Sequence, residues 1–454
     1  MVGGGNAGIC AAIAAREAGA SVIVLERSPG HMRGGNSRHT RDIRHVHYGP
    51  DQYVTGTYPA DELLDDLDRV THGGGNARLS QITAEQSESL PGWMSERGVR
   101  WQHALHGTLH LSRTNRFMLG GGRAMLNSLY RTAESLGVSV RYQATVEEIE
   151  ASDGPVRLAV DHDGERGQVT ALAAIFSAGG FEANLGWLSQ YRGDGALNYI
   201  VRGTPYNDGL ILRRLLDLGS RPAGNPANFH GTAVDARAPA FDGGIVTRLD
   251  SVPFGIVVNT EAERFYDEGE DLWPKRYAIW GGMIGEQPGQ IAYSLLDSKS
   301  DGLFMPSVYP AYSAPTWEEL AGQLGLPPEK VRKTVEAYNQ AAPETGTFDP
   351  SRLDGLASSG LEPPKTNWAR TLDTPPYRAY PLRPGITFTY LGVEVTEQAR
   401  IVGDDGQARP NLFAAGELMA GNILSQGYLA GFGLTIGAVF GQIAGKEAAA
   451  HALS

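Results

Sequence analysis

Apolar residues in this chain come in short blocks whose spacing separates strands from helices. Val22-Ile23-Val24-Leu25 is a continuous apolar run of strand length, closed by the charged pair Glu26-Arg27. Ahead of it, the alanine-rich stretch after Gly8 predicts a helix that opens at a glycine turn. Residues 138–142 read as a strand, and 146–149 and 156–160 follow with turn residues between them, as in an antiparallel meander. The apolar run from Ala173 to Phe176 then leads into a second glycine turn, Ala178-Gly179-Gly180. One helix is expected to end within 91–98, and another to begin at Gly120-Gly121-Gly122.

From about Arg221 to Thr371 proline and aromatic residues increase. Thr316-Trp317-Glu318-Glu319 has the pattern of a capping box, and a second helix is expected over 328–340. Strands return at 386–390 and 392–395. The segment 418–445 carries no charge and is long enough for a bilayer span, but seven glycines with Asn422, Ser425, Gln426 and Tyr428 make it too irregular. A loop followed by a buried helix from near Gly431 fits better. The pattern predicts an α/β fold: a Rossmann-like domain of parallel sheet plus antiparallel meander over 1–220 and 372–454. A capping domain of α+β type is inserted over 221–371.

The turn Gly3-Gly4-Gly5-Asn6-Ala7-Gly8 is a G-x-G-x-x-G sequence, with Glu26 eighteen positions after its last glycine. That spacing lets helix N–H groups meet a pyrophosphate while a carboxylate takes a ribose hydroxyl, so dinucleotide binding is expected. The strand before the turn is reduced to Met1-Val2, which suggests a natural start further upstream. Acidic residues exceed basic ones, 51 against 39, which argues against a nucleic-acid partner. The lone Cys10 excludes an intrachain disulfide, a cluster held by this chain's own thiolates and a C-x-x-C-H haem site. No basic-then-apolar leader is visible, so a cytoplasmic protein that does not span the membrane is expected.

Further strings carry a resemblance: Gly34-Gly35-Asn36-Ser37-Arg38, residues 107–115, Arg264-Phe265-Tyr266-Asp267-Glu268, residues 384–392, and Gln426-Gly427-Tyr428-Leu429-Ala430-Gly431-Phe432-Gly433. In this order they resemble the fumarate reductase and succinate dehydrogenase flavoprotein superfamily over nearly the whole chain. The tricarballylate dehydrogenase branch is the most similar in appearance. The resemblance implies non-covalent FAD, a cap closing over it, and a small carboxylate substrate between the domains. It assigns the FAD to Gly3, Gly5, Asn6, Ala7 and Gly8 of the turn, and to Glu26 at the ribose with Arg27 beside it. Gly35, Asn36, Ser37 and Arg38 would lie at the pyrophosphate or flavin edge, and Val146 at the adenine. Ala178, Gly179 and Gly180 would pass close to the cofactor, Glu417 would meet the ribityl chain, and Gly433-Leu434 the pyrimidine edge. Electrons would leave through a separate acceptor, such as a membrane-associated iron-sulfur protein.

Departures from the family touch the chemistry. Gly269-Glu270-Asp271-Leu272 stands where fumarate reductases place an arginine acid. Thr387-Phe388 replaces paired histidines, and Tyr428 replaces an arginine. Fumarate reduction itself is therefore not expected. Dehydrogenation next to a carboxylate needs cations for the carboxylate and a base for the departing proton. Arg113 ranks first among the cations, with Arg248, Arg276 and Arg383 behind it. Tyr390, Tyr428 and His230 are the base candidates. His103, His106 and His110, like His45 and His47, lack the pattern of a metal site, and the register of His39 does not favour a covalent flavin. A tricarballylate-to-cis-aconitate dehydrogenase is the expectation. The rivals are a ketosteroid or tailoring enzyme with an apolar pocket lined by Phe229, Phe388 and Phe432, and an inactive flavoprotein.

Overall fold

The computed structural model describes residues 1–104, 111–151, 154–305 and 307–454. Its central sheet runs in the order Ser139–Arg141, Ile23–Leu25, Val2, Ala174–Phe176, Ala408–Ala414, Arg400–Val402, parallel except at the last pair. Short as it is, Met1-Val2 occupies the middle position. The Val2 N–H donates to the Ile175 carbonyl at 2.9 Å, and the Ser177 N–H donates to the Val2 carbonyl at 2.8 Å. The Met1 amine donates to the Ile23 carbonyl at 2.9 Å, and burial lowers its pKa to about 5.

The glycine turn feeds the helix Asn6–Glu17, which packs against the C-terminal helix Phe432–Leu453. Glycines at four-residue spacing make that approach possible. A Cβ on Gly441 would lie 2.5 Å from the Ala7 carbonyl oxygen, and one on Gly445 would lie 2.3 Å from that of Ala11. Within the uncharged segment the chain runs through a loop and then the core helix from Phe432, as expected. Among the described residues no helix is long and apolar enough to cross a membrane.

The meander forms from Ala144–Glu150, Val156–His162 and a third strand, Glu165–Ala171. The third was not anticipated, because it is polar and largely exposed. In the cap, Phe229–Asp235, Tyr377–Thr389, Ala292–Leu296 and Ile256–Asn259 pair antiparallel in that order. Ile200–Val201 joins the same sheet in parallel, so the sheet cuts across the boundaries expected at 221 and 371. The strand expected at 386–390 is the end of a 13-residue strand belonging to this sheet. Helix Trp317–Leu324 is capped by Thr316, whose hydroxyl accepts the Glu319 N–H at 3.2 Å. With Pro328–Ala341 it covers a second core of Ile256, Val258, Leu320, Val331, Val335 and Tyr338.

Candidate active site

A cleft enclosing about 1540 Å³, its open mouth included, runs from the glycine turn to the cap sheet. Its lining passes from the glycine turn and Glu26 at one end to Arg202, His230 and Arg248 at the other. At the turn, helix Asn6–Glu17 has no side-chain cap and no acidic residue in its first turn. The Asn6 N–H donates to the Ser37 hydroxyl at 3.1 Å, and the remaining first-turn N–H groups with the positive dipole end favour an anion. A Cβ on Gly5 would meet nothing nearer than the Ser37 hydroxyl at 3.7 Å. Gly3 and Gly8 do a different job. Gly3 has φ +94°, and a Cβ on Gly8 would stand 2.1 Å from the Gly3 carbonyl oxygen, so these two residues let the turn close on itself.

Glu26 ends its strand in the cleft wall, its carboxylate fixed by the N–H groups of Gly4 and Ser28, both at 2.8 Å. The Ser28 hydroxyl beside it is buried without a partner. Val146, Ile211 and Leu212 supply apolar wall. An open helix terminus, a held carboxylate, an orphaned hydroxyl and an apolar wall are the donor set FAD needs, and the residues present fit it.

Further in, two loops converge on one carboxyl group. The side-chain amides of Asn36 and Asn207 both donate to Glu182 Oε1, at 2.6 and 2.7 Å. Glu417 Oε1 accepts the Thr389 N–H at 2.8 Å and its hydroxyl at 3.2 Å. On the C-terminal helix, the Gly433 N–H donates to the Tyr428 hydroxyl at 2.9 Å, and the Leu434 carbonyl accepts from Asn6 Nδ2.

The far end of the cleft gathers Arg41, Arg202, His230, Arg248, Tyr277, Thr387 and Tyr428. Arg248 lies against Asp250 at 2.7 Å, and Arg41 reaches the same carboxylate at 3.1 Å. Although buried, Asp250 stays well below the usual carboxylate range because these two guanidinium groups face it. Arg202 is different. It is 5 % exposed, its Nε donates to the Thr387 hydroxyl at 2.8 Å, and its Nη1 is buried with no partner. Among the described residues no carboxylate pairs with it, and burial together with Arg248 lowers its pKa to about 10. Next to it His230 stacks on Tyr428 at 4.1 Å between ring centroids and meets the Tyr277 ring edge-on at 5.2 Å. Its Nε2 is buried without a partner, and burial plus the Arg202 and Arg248 charges hold the imidazole neutral.

Of the residues picked out from the sequence, Gly3, Gly5, Asn6, Ala7, Glu26, Arg27, Gly35, Asn36, Ser37, Val146, Ala178, Gly179, Gly180, Glu417, Gly433 and Leu434 line the cleft. So do His230, Arg248 and Tyr428. Others go elsewhere. Arg113 pairs with Glu62 and donates to the Thr57 carbonyl, away from the cleft. Tyr390 is fully buried with its hydroxyl on the Gly427 carbonyl at 2.5 Å, and burial raises its pKa far beyond the range of a base. Arg38 reaches the His31 carbonyl, Arg276 pairs with Glu270, and Arg383 donates to the Asn198 carbonyl. Gly8 packs inside the turn. His39 lines the cleft with its ring on Asp242 at 2.6 Å. His106 and His110 lie outside the described residues, as do 107–110 of the resemblance segment.

Arg202 and Tyr277 were missed. Arg202 follows the two-residue strand Ile200–Val201, which reaches the cleft only by pairing in parallel with Gly385 and Ile386. No local signal carries that pairing.

A family model described as an FAD binding domain matches residues 1–433. An NADH:fumarate oxidoreductase of Klebsiella pneumoniae is 26% identical over 472 aligned residues, covering 100% of this chain and 47% of that protein. The chain thus spans about half the length of that relative. A solved flavocytochrome c3 fumarate reductase superposes with a TM-score of 0.75 at 22% identity, covering 100% of this chain and 78% of the other. A 3-ketosteroid-Δ4-(5α)-dehydrogenase from Rhodococcus jostii, solved with 4-androstene-3,17-dione, also gives 0.75 at 22% identity, with 99% and 95% covered. The likeness to both structures is one of fold.

Proposed function

The chain belongs to this family of FAD-binding domains and is an FAD-dependent oxidoreductase, and we propose that it oxidises a carbon–carbon single bond next to a carboxylate. The observation that carries the reading is the buried, uncompensated Arg202 at the substrate end of the cleft. A buried guanidinium without a counter-ion is costly, and a substrate carboxylate binding its fork relieves that cost. Thr387 holds Nε and so aims the fork. Asp250 holds Arg248 and Arg41 as the rim of the same end. FAD held by Glu26, Asn36, Glu417 and the glycine turn would supply the hydride acceptor for the substrate carbon. The neutral Nε2 of His230 takes the proton from the adjacent carbon, and the incoming carboxylate raises its basicity. Tyr277 and Tyr428 wall the site and orient the ring; burial raises both phenols, which makes them donors and not bases.

Tricarballylate, giving cis-aconitate, is our proposed substrate: Arg202 would take one carboxylate, and Arg41 and Arg248, which share Asp250, stand at the same end of the cleft. A steroid reading is less well supported. Of Phe229, Phe388 and Phe432, only Phe388 lines the cleft, and the arginines stand in the wall beside it. A separate electron acceptor, such as a membrane-associated iron-sulfur protein, and a cytoplasmic location complete the proposal. The test is anaerobic titration of holoenzyme with tricarballylate, succinate and a 3-ketosteroid, following the oxidised-flavin band. Bleaching by a carboxylate at one equivalent per flavin is expected. Bleaching by the steroid alone would overturn the reading.

A further inference from the structure

Glu182 and Glu417 form a buried carboxyl pair beside the cofactor cleft, and the hydrogen bonds around them fix what that pair must hold. Glu182 Oε1 already accepts two amide N–H donors, from Asn36 and Asn207. Its Oε2 is buried without a hydrogen-bond partner. Glu417 Oε1 likewise accepts twice, from the backbone and hydroxyl of Thr389. The two carboxyl groups face one another, and two ionised carboxylates in contact in a dry interior repel strongly. A proton on Glu182 Oε2, donated to Glu417, removes both the orphan and the repulsion.

We propose that Glu182 is a neutral acid and a positioning residue: its carbonyl oxygen gathers Asn36 and Asn207, and its O–H donates to Glu417. The cofactor thus meets one fixed carboxylate anion, Glu417. Asn36 also donates to the Thr387 carbonyl at 2.8 Å and accepts the Thr204 N–H, so the same group ties the flavin-side loop to the strand that aims Arg202.

The surroundings agree. Among the described residues no cation pairs with either carboxylate. Arg202 is turned to Thr387, Arg27 is paired with Asp208, and Tyr390, the next residue along the strand, is a neutral phenol. Burial, and then the Glu417 charge, raise the Glu182 pKa well above the ordinary carboxylate value; burial also raises that of Glu417. Glu182 is therefore the member of the pair that carries the proton, while Glu417, raised to about 7, gives its own up first.

FAD affinity of the refolded or deflavinated protein, measured by cofactor fluorescence from about pH 6 to about pH 9, reads this directly. Glutamine carries one donor and one acceptor, as a neutral carboxylic acid does. Glu182→Gln is expected to bind FAD within about threefold of wild type at the acid end. It should also lack the alkaline loss of affinity that wild type shows once Glu182 ionises. Glu182→Ala should bind roughly tenfold or more weakly at every pH. If Glu182→Gln is as weak as Glu182→Ala, or if wild type and Glu182→Gln share one pH profile, the proposal is overturned. Should the alanine variant fail to fold, the comparison of wild type with glutamine decides alone. Titration of the cofactor itself is common to both and cancels.

Discussion

At the scale of single residues, the glycines of the first turn divide by what surrounds them. Gly8 faces backbone at 2.1 Å and cannot accept a side chain, whereas Gly5 faces the open cleft, with its nearest neighbours at 3.7 and 3.8 Å. Gly5→Ala is therefore expected to leave the apoprotein within about 1 kcal/mol of wild-type stability in urea unfolding. The added methyl group should obstruct the pyrophosphate and weaken FAD binding by two orders of magnitude or more, roughly what one lost charge-assisted contact and a clash impose. Equal losses of stability and affinity would say that the open space above the turn is not the cofactor's. The turn and Glu26 were legible in the sequence because their spacing is local. The choice among arginines was not. Arg113 sits in a family-like string yet folds onto Glu62, while Arg202 follows two apolar residues and gains its place from a strand pairing nearly two hundred positions away.

At the scale of elements, the contact between helices Asn6–Glu17 and Phe432–Leu453 sets the position of the cofactor end. The Leu434 carbonyl holds Asn6, and Gly441 rides on the Ala7 carbonyl. Gly441→Ala forces a methyl group to within 2.5 Å of that oxygen, and the helices must part. A cost of about 1–3 kcal/mol is expected from such overpacking, even though alanine is the better helix former. FAD affinity should fall with it, because the displaced helix carries the anion-binding terminus. Calorimetry and cofactor fluorescence on the one variant check both. The helix was readable from 418–445 as an uncharged, glycine-rich run. The strand Glu165–Ala171 was not, because only Val169 and Ala171 are apolar, too few to show an alternation, and the pairing with Val156–His162 defines it.

At the scale of the whole molecule, burial of neutral histidines ties stability to pH. His45 is 2 % exposed, its Nδ1 is on the Val46 carbonyl, and burial followed by the neighbouring His47 lowers its pKa from 6.5 to about 3. Unfolded, this imidazole takes a proton near 6.5; folded, it does so only near pH 3. Between those values the unfolded state holds the extra proton, so stability rises with pH and is lost as pH falls. His39, His47 and His230 are lowered as well and act in the same direction. Glu182 and Glu417, raised by burial, act in the opposite one. His45→Asn removes one titrating group. Its stability should therefore depend on pH less steeply by about 1.4 kcal/mol per unit between ~6 and ~4 in urea unfolding, and an unchanged slope would contradict the assignment.

The measurement that tests the account most directly compares wild type and Arg202→Gln as FAD-loaded enzymes, reduced anaerobically by tricarballylate. Wild-type flavin is expected to bleach at one equivalent. Arg202→Gln should keep its FAD and its fold yet need on the order of 100-fold more substrate, the about 2–3 kcal/mol carried by a charge-assisted contact to a carboxylate. Equal titrations of the two enzymes, or a wild-type flavin that no carboxylate reduces, would contradict it.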